Sequence, residues 1–119
     1  MATAPNTQTF PHPLPDELAE LVAQRFRVLG EPMRIKLLDH LREGEATVGQ
    51  LREAVGASQQ NVSKHLGVLL DAGMVSREKA GTSALYAIAD ESVFELCEHV
   101  CGGIRRRLDE LDAILGGPR

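Results

Sequence analysis

Two groups of side chains in this sequence have the types and spacing to do chemistry. Ser58, Gln59, Gln60, Ser63, Lys64 and His65 crowd into one short stretch. Short hydroxyl and amide side chains donate and accept on nucleic-acid base edges, and a lysine reaches a phosphate. The solvated side of an ordinary amphipathic helix would carry the same residues. The second group is Cys97 and Cys101, four positions apart and so neighbours on one face of a helix. Two thiolates at this spacing could chelate As(III), Hg(II) or Cd(II), with a third ligand from His99, Glu98 or a partner chain. They could instead sense an oxidant or reactive sulfur through a disulfide or polysulfide link, within or across subunits. A plain disulfide between positions i and i+4 would strain an intact helix and have to bend it. The plainest reading is that both are small hydrophobes packed at an interface. Enzyme chemistry has no foothold: the chain lacks a phosphate-cradling glycine loop, a nucleophile with a matching base, and a carboxylate pair in a pocket.

The elements that must position these residues follow from periodicity. Val62, Leu66, Leu69 and Leu70 recur at helical spacing through Ser58–Leu70, so one face turns inward while the polar cluster stays near the helix start. Ser58 is a good N-cap. Upstream, Thr47 suits the cap of a short helix with Val48, Leu51, Ala54 and Val55 facing inward, and Gly56 permits the sharp turn between the two. Two short helices joined by a tight glycine turn, the second with a polar front, form the helix-turn-helix layout.

Two helices precede this pair. Asp16 can cap a first helix to about Leu29, with Leu18, Leu21, Val22, Phe26 and Leu29 in its apolar stripe. Gly30 ends it. Pro32 then falls in the first turn of a second helix, where its missing N–H costs nothing. Met33, Ile35, Leu37, Leu38 and Leu41 supply that helix's buried side and Gly44 closes it. After Asp71-Ala72-Gly73 the period becomes alternating, so residues 74–79 and 84–88 read as a hairpin with its tip at Ala80–Ser83. A hairpin after such a helix is a wing, with Arg77, Lys79, Thr82 and Ser83 placed to touch a phosphate backbone; charges on a solvated hairpin edge are the competing explanation. A last helix from near Asp90 to about Leu115 keeps Val93, Leu96, Val100, Ile104, Leu108, Leu111 and Leu115 in one stripe. That is more apolar face than a small domain needs, which implies pairing with a second copy.

At 119 residues the chain predicts one domain over 16–115, with a proline-rich, aperiodic arm over 1–15 that reads as disordered. Aromatic residues make up 3% and Trp is absent, which argues against an RNA-stacking platform. No apolar run spans a membrane and the N-terminus has no secretory pattern, so the expected location is the cytoplasm, with both cysteines as thiols. The formal net charge of −4 counts against nucleic acid. Between Ala46 and Ala89, however, Arg52, Lys64, Arg77 and Lys79 outnumber Glu53, Asp71 and Glu78 by one.

Leu29-Gly30-Glu31-Pro32-Met33-Arg34-Ile35-Lys36-Leu37-Leu38, Val48-Gly49-Gln50-Leu51, Ser58-Gln59, Val62-Ser63-Lys64-His65-Leu66 and Ala72-Gly73-Met74-Val75, with the Gly81…Tyr86 hairpin, resemble the ArsR/SmtB family of bacterial winged-helix repressors. The resemblance covers roughly residues 18 to 112. It implies a mostly α, homodimeric α-α-α-α-β-β-α fold and repression at a pseudo-palindromic double-stranded operator, relieved by an inducer. It places Gln59, Gln60, Ser63, Lys64 and His65 towards the major groove and Arg77, Lys79 and Thr82 on the wing. Family members often carry His at the position of Lys64. One common metal site of the family uses third-helix cysteines, where this chain has Val48-Gly49. Another uses the last helix, where Asp90 survives but Ser92, Gly103 and Arg106 stand at the other ligand positions, so neither zinc-type site is expected. A winged-helix module that binds protein rather than DNA is the reading left in opposition.

Overall fold

A computed structural model describes residues 11–116. Most of the helices begin where a side chain accepts from their free N–H groups. Helix α1 (Asp16–Leu29) carries Asp16 and Glu17 in its first turn and Arg27 in its last, complementing the helix dipole. Asp16 is not the expected cap: Pro15 holds that position and Asp16 is already helical. Helix α2 (Pro32–Leu41) has Pro32 in its first turn, and Glu31 supplies the cap, its Oε1 accepting from the Met33 amide at 2.7 Å and the Arg34 amide at 3.3 Å. The helix ends at Leu41, three residues before Gly44.

Helix α3 (Val48–Val55) opens on a reciprocal capping box: Thr47 Oγ1 accepts from the Gln50 amide at 3.1 Å and Gln50 Oε1 from the Thr47 amide at 2.9 Å. Gly56 closes it at φ 70°, a left-handed conformation that a side chain disfavours. Helix α4 (Gln59–Asp71) follows, capped by Ser58, whose Oγ accepts from the Asn61 amide at 3.1 Å. Strands β1 (Val75–Ala80) and β2 (Ser83–Ile88) pair antiparallel with Arg77 opposite Tyr86 and Lys79 opposite Ala84. Ala46 adds a bridge the sequence did not announce, exchanging both backbone bonds with Tyr86 at 2.8 and 3.0 Å. The wing is thereby tied to the loop before α3. Helix α5 (Ser92–Leu115) starts two residues after Asp90, which accepts from the Ser92 hydroxyl at 2.6 Å and the Ser92 amide at 3.0 Å.

Leu37, Leu38 and Leu41 of α2, Leu51 of α3, and Val62, Leu66 and Leu69 of α4 bury together with Met74, Val75, Tyr86 and Val93. Ala54, expected inside, is exposed. Helices α1 and α5 contribute little: Leu29 and Val93 are their buried residues. Leu21, Val22 and Phe26 of α1 and Val100, Ile104, Leu108 and Leu111 of α5 stay exposed in the single chain. No helix among the described residues is long and apolar enough to cross a membrane. The arm expected over 1–15 lies outside the described residues up to position 10; residues 11–15 are exposed and form no helix or strand.

Candidate nucleic-acid interface and thiol pair

Helix α4 has two unlike faces because its polar residues are out of phase with Val62, Leu66 and Leu69. Ser58, Gln59, Gln60, Ser63 and Lys64 are exposed and line one open depression of about 730 Å³. Together they present hydroxyl, amide and ammonium groups to a surface laid across the helix, the Ser58 hydroxyl while also accepting from the Asn61 amide. Arg77 and Lys79, two apart on β1, point to the same side of the hairpin, and Thr82 and Ser83 stand at its tip; all four are exposed.

His65 departs from this pattern and corrects the expectation that it faces a groove. It is 8% exposed. Position 65 follows Val62 by three and precedes Leu69 by four, so helical geometry turns it inward with them. The spacing was visible in the sequence, but the polar side chain argued the other way. Its Nδ1 meets Nη1 of Arg34 at 3.1 Å and its Nε2 lies 3.9 Å from Oε1 of Glu31. Arg34 also donates through Nε to the Val28 carbonyl at 2.6 Å and through Nη2 to the Arg27 carbonyl at 3.3 Å. Desolvation pushes the Glu31 carboxyl up, but the Met33 and Arg34 amides, with the charges of His65 and Arg34, outweigh it and hold the group below the ordinary carboxylate value. Sequence reasoning missed Glu31 and Arg34 as partners of α4, since nothing local links positions 31 residues apart.

Cys97 is half-buried, Cys101 is exposed, and both are free thiols. They line a cavity of about 320 Å³ between α2 and α5, with Ile35, Leu38 and Phe94 as its apolar wall. Arg42 closes one side, 5.3 Å above the Phe94 ring centroid and 2.8 Å from Glu98 Oε2. Burial raises the Cys97 thiol above its ordinary value; charge on Cys101 adds to this, and Arg42 opposes it. The third metal ligand expected from Glu98 or His99 is not assembled. Among the described residues no three His, Cys, Asp or Glu side chains come together as a metal site. Glu98 is engaged by Arg42. His99 is exposed and sits two residues from each cysteine, about 200° around the helix from both.

Residues 29–78 match a family model described as a helix-turn-helix domain. The transcriptional repressor SmtB of Mycobacterium tuberculosis is 39% identical over 82 residues, which cover 69% of this chain and 61% of that protein. The match therefore spans about three fifths of that relative's length. The crystal structure of Rv0081 from M. tuberculosis superposes with a TM-score of 0.74 at 34% identity, covering 81% of this chain and 97% of that one. The solution structure of a homodimeric winged helix-turn-helix DNA-binding domain, Mb0332 residues 1–100 from Mycobacterium bovis, gives a TM-score of 0.68 at 30% identity, over 84% and 95%.

Proposed function

The chain belongs to the ArsR/SmtB family of winged helix-turn-helix transcriptional regulators, and from that premise we propose that it is a homodimeric repressor of a pseudo-palindromic operator. The observation that carries this reading is the two-faced α4: Val62, Leu66 and Leu69, with His65 among them, buried on one side and Ser58, Gln59, Gln60, Ser63 and Lys64 open to solvent on the other. These five read bases and phosphates in the major groove, while Arg77, Lys79 and Thr82 hold the flanking backbone. The repressor domain is 16–115, its arm 1–15, and it works on DNA in the cytoplasm. The apolar residues left open on α1 and α5 meet the same residues of a second copy, which sets two recognition helices about one DNA turn apart. A protein-binding module is not favoured, since it leaves the hydroxyl and amide front of α4 without a task.

Cys97 and Cys101 are the inducer site in this reading. The α2–α5 cavity gives a thiol-reactive ion such as As(III), Hg(II) or Cd(II) access to both sulfurs. Any further ligand comes from solvent or the partner chain. Oxidant or reactive-sulfur sensing is the second reading, favoured by the exposure of Cys101.

The test is an anisotropy titration with a labelled duplex from the promoter of the protein's own gene. Replacing Ser63 and Lys64 together with Glu should abolish binding and leave the fold intact. A double variant that still shifts the duplex sinks the repressor mechanism. A panel of arsenite, mercury, cadmium, zinc, peroxide and polysulfide, run beside Cys97→Ser/Cys101→Ser, then decides the inducer. An unchanged response in that variant removes both thiol readings.

A further inference from the structure

His65 is the one buried polar residue among the described core, and it sits on the back of the helix whose front is offered to DNA. Its contact with Arg34 defines its chemistry. A guanidinium has no acceptor, so Nδ1 of His65 must accept the Nη1 proton across 3.1 Å, and the ring proton must sit on Nε2, towards Glu31. The remaining donors of Arg34 hold the carbonyls of Val28 and Arg27 in the last turn of α1. One side chain on the first turn of α2 thus joins the end of α1 to the middle of α4. Val62, Leu66 and Leu69 bury the same face of α4, but apolar contact is non-directional and tolerates small slides. A charge-assisted hydrogen bond with a fixed donor fork does not.

We propose that Arg34 is a positioning residue for DNA recognition, setting the rotation of α4 through the unprotonated Nδ1 of His65 and thereby the placement of the adjacent Ser63 and Lys64. The inference rests on the repressor reading above. A rotation of about 15° moves a side-chain tip ~6 Å from the helix axis by about 1.5 Å, enough to lose a base-edge hydrogen bond. The contact also has a pH signature. A proton on Nδ1 turns a donor–acceptor pair into two cationic donors at 3.1 Å, and Arg34 must let go. The charged groups placed against the ring are Arg34, which opposes that proton, and Glu31 at the α2 cap, which favours it. From α1 the groups facing this cluster are the Arg27 and Val28 carbonyls, and they hold Arg34 rather than the ring. Operator affinity therefore falls wherever Nδ1 takes up a proton. This is opposite in sign to the general effect, because an acidic protein becomes more cationic and binds DNA better as pH drops.

The experiment titrates the full chain against the labelled promoter duplex at fixed salt, between pH 5.5 and 8. Arg34→Gln should bind about tenfold more weakly near pH 7.5 while remaining folded and dimeric. Protonation of Nδ1, followed in the same samples by its imidazole ¹⁵N shift, should cost wild type about tenfold in affinity. His65→Asn keeps a neutral acceptor for Arg34 at the place of Nδ1, so it should bind within about threefold of wild type at pH 7.5, with a flat profile. Arg34→Gln at wild-type affinity, or the same pH profile in wild type and His65→Asn, overturns the proposal. Should Arg34→Gln not fold, the two pH profiles decide, together with the imidazole ¹⁵N shifts of wild-type protein without DNA. A ring proton on Nδ1 near pH 7.5 overturns it as well. A wild type that binds no duplex, yet shows the Nε2 proton, defeats the repressor reading and with it the role of Arg34, while leaving the contact itself intact.

Discussion

Replacing Ile104 with Glu should split the dimer, and the size of the effect follows from what the single chain leaves uncovered. Leu21, Val22 and Phe26 on α1 and Val100, Ile104, Leu108 and Leu111 on α5 are all exposed, Ile104 at 55% and Leu108 at 57%. Fully burying such a side chain gains about 1.5–3 kcal/mol, so covering the exposed half of each gains about 1 kcal/mol. The set then supplies about 7 kcal/mol per protomer and about 14 kcal/mol per dimer. Association costs about 4–15 kcal/mol in lost freedom, so the net affinity is moderate and sensitive to single changes. Ile104→Glu removes about 1 kcal/mol from each copy and forces two carboxylates towards a closing apolar seam, at a further cost of about 1–3 kcal/mol. The combined loss of about 4 kcal/mol raises the dimer dissociation constant roughly a thousandfold. Sedimentation equilibrium at micromolar concentration reads this directly. Wild type should weigh twice the 12.9 kDa of one chain and the variant should weigh one. A variant that stays at the doubled mass, or a wild type that never reaches it, refutes the assignment of this face.

Leu66 is fully buried in the α4 seam, so Leu66→Ala should cost about 3 kcal/mol in urea unfolding, and a loss under about 1 kcal/mol would contradict the packing described. Two glycines should respond with opposite signs. Gly56→Ala should destabilise by about 1 kcal/mol, because φ is 70° there. Gly67→Ala should stabilise by up to about 1 kcal/mol, because Gly67 lies inside α4 and an added Cβ would meet nothing within 4 Å. Equal thermal shifts for the two would count against the assigned backbone. Asp90 is held below its ordinary value first by the Ser92 hydroxyl, then by the Ser92 amide and Arg25 against opposing desolvation. A depressed carboxylate stabilises above its unfolded value and loses that contribution as pH falls through the folded one. Asp90→Asn should therefore be less stable than wild type from about pH 5 upwards, with the gap closing below about pH 4. A gap that persists in acid would mean that the charge on Asp90 is not what holds the start of α5.

The order of elements is legible in the sequence because its signals are local. Thr47 with Gln50, Gly56 and Ser58 mark the helix-turn-helix ends within a few residues of each other, and the change from helical to alternating period after Gly73 marks the wing. The polar front of α4 was legible for the same reason, and Ser58, Gln59, Gln60, Ser63 and Lys64 do share one exposed surface. The thiol pair was visible as a spacing. Its cavity was not, because Ile35 and Leu38 reach it from α2 and Arg42 from the residue that follows α2.

What the sequence determined by itself, then, is periodicity, capping and the existence of an unpaired apolar stripe on α5, since each depends on neighbours no more than a few turns away. Only the tertiary structure decided that His65 turns its back on the polar cluster to meet Arg34, that Glu98 is claimed by Arg42, and that Ala46 pins the wing. Those pairings join residues 31, 56 and 40 positions apart. Many residues could in principle serve such distant groups, and the packing of α2 against α4 and α5 selects the ones that do.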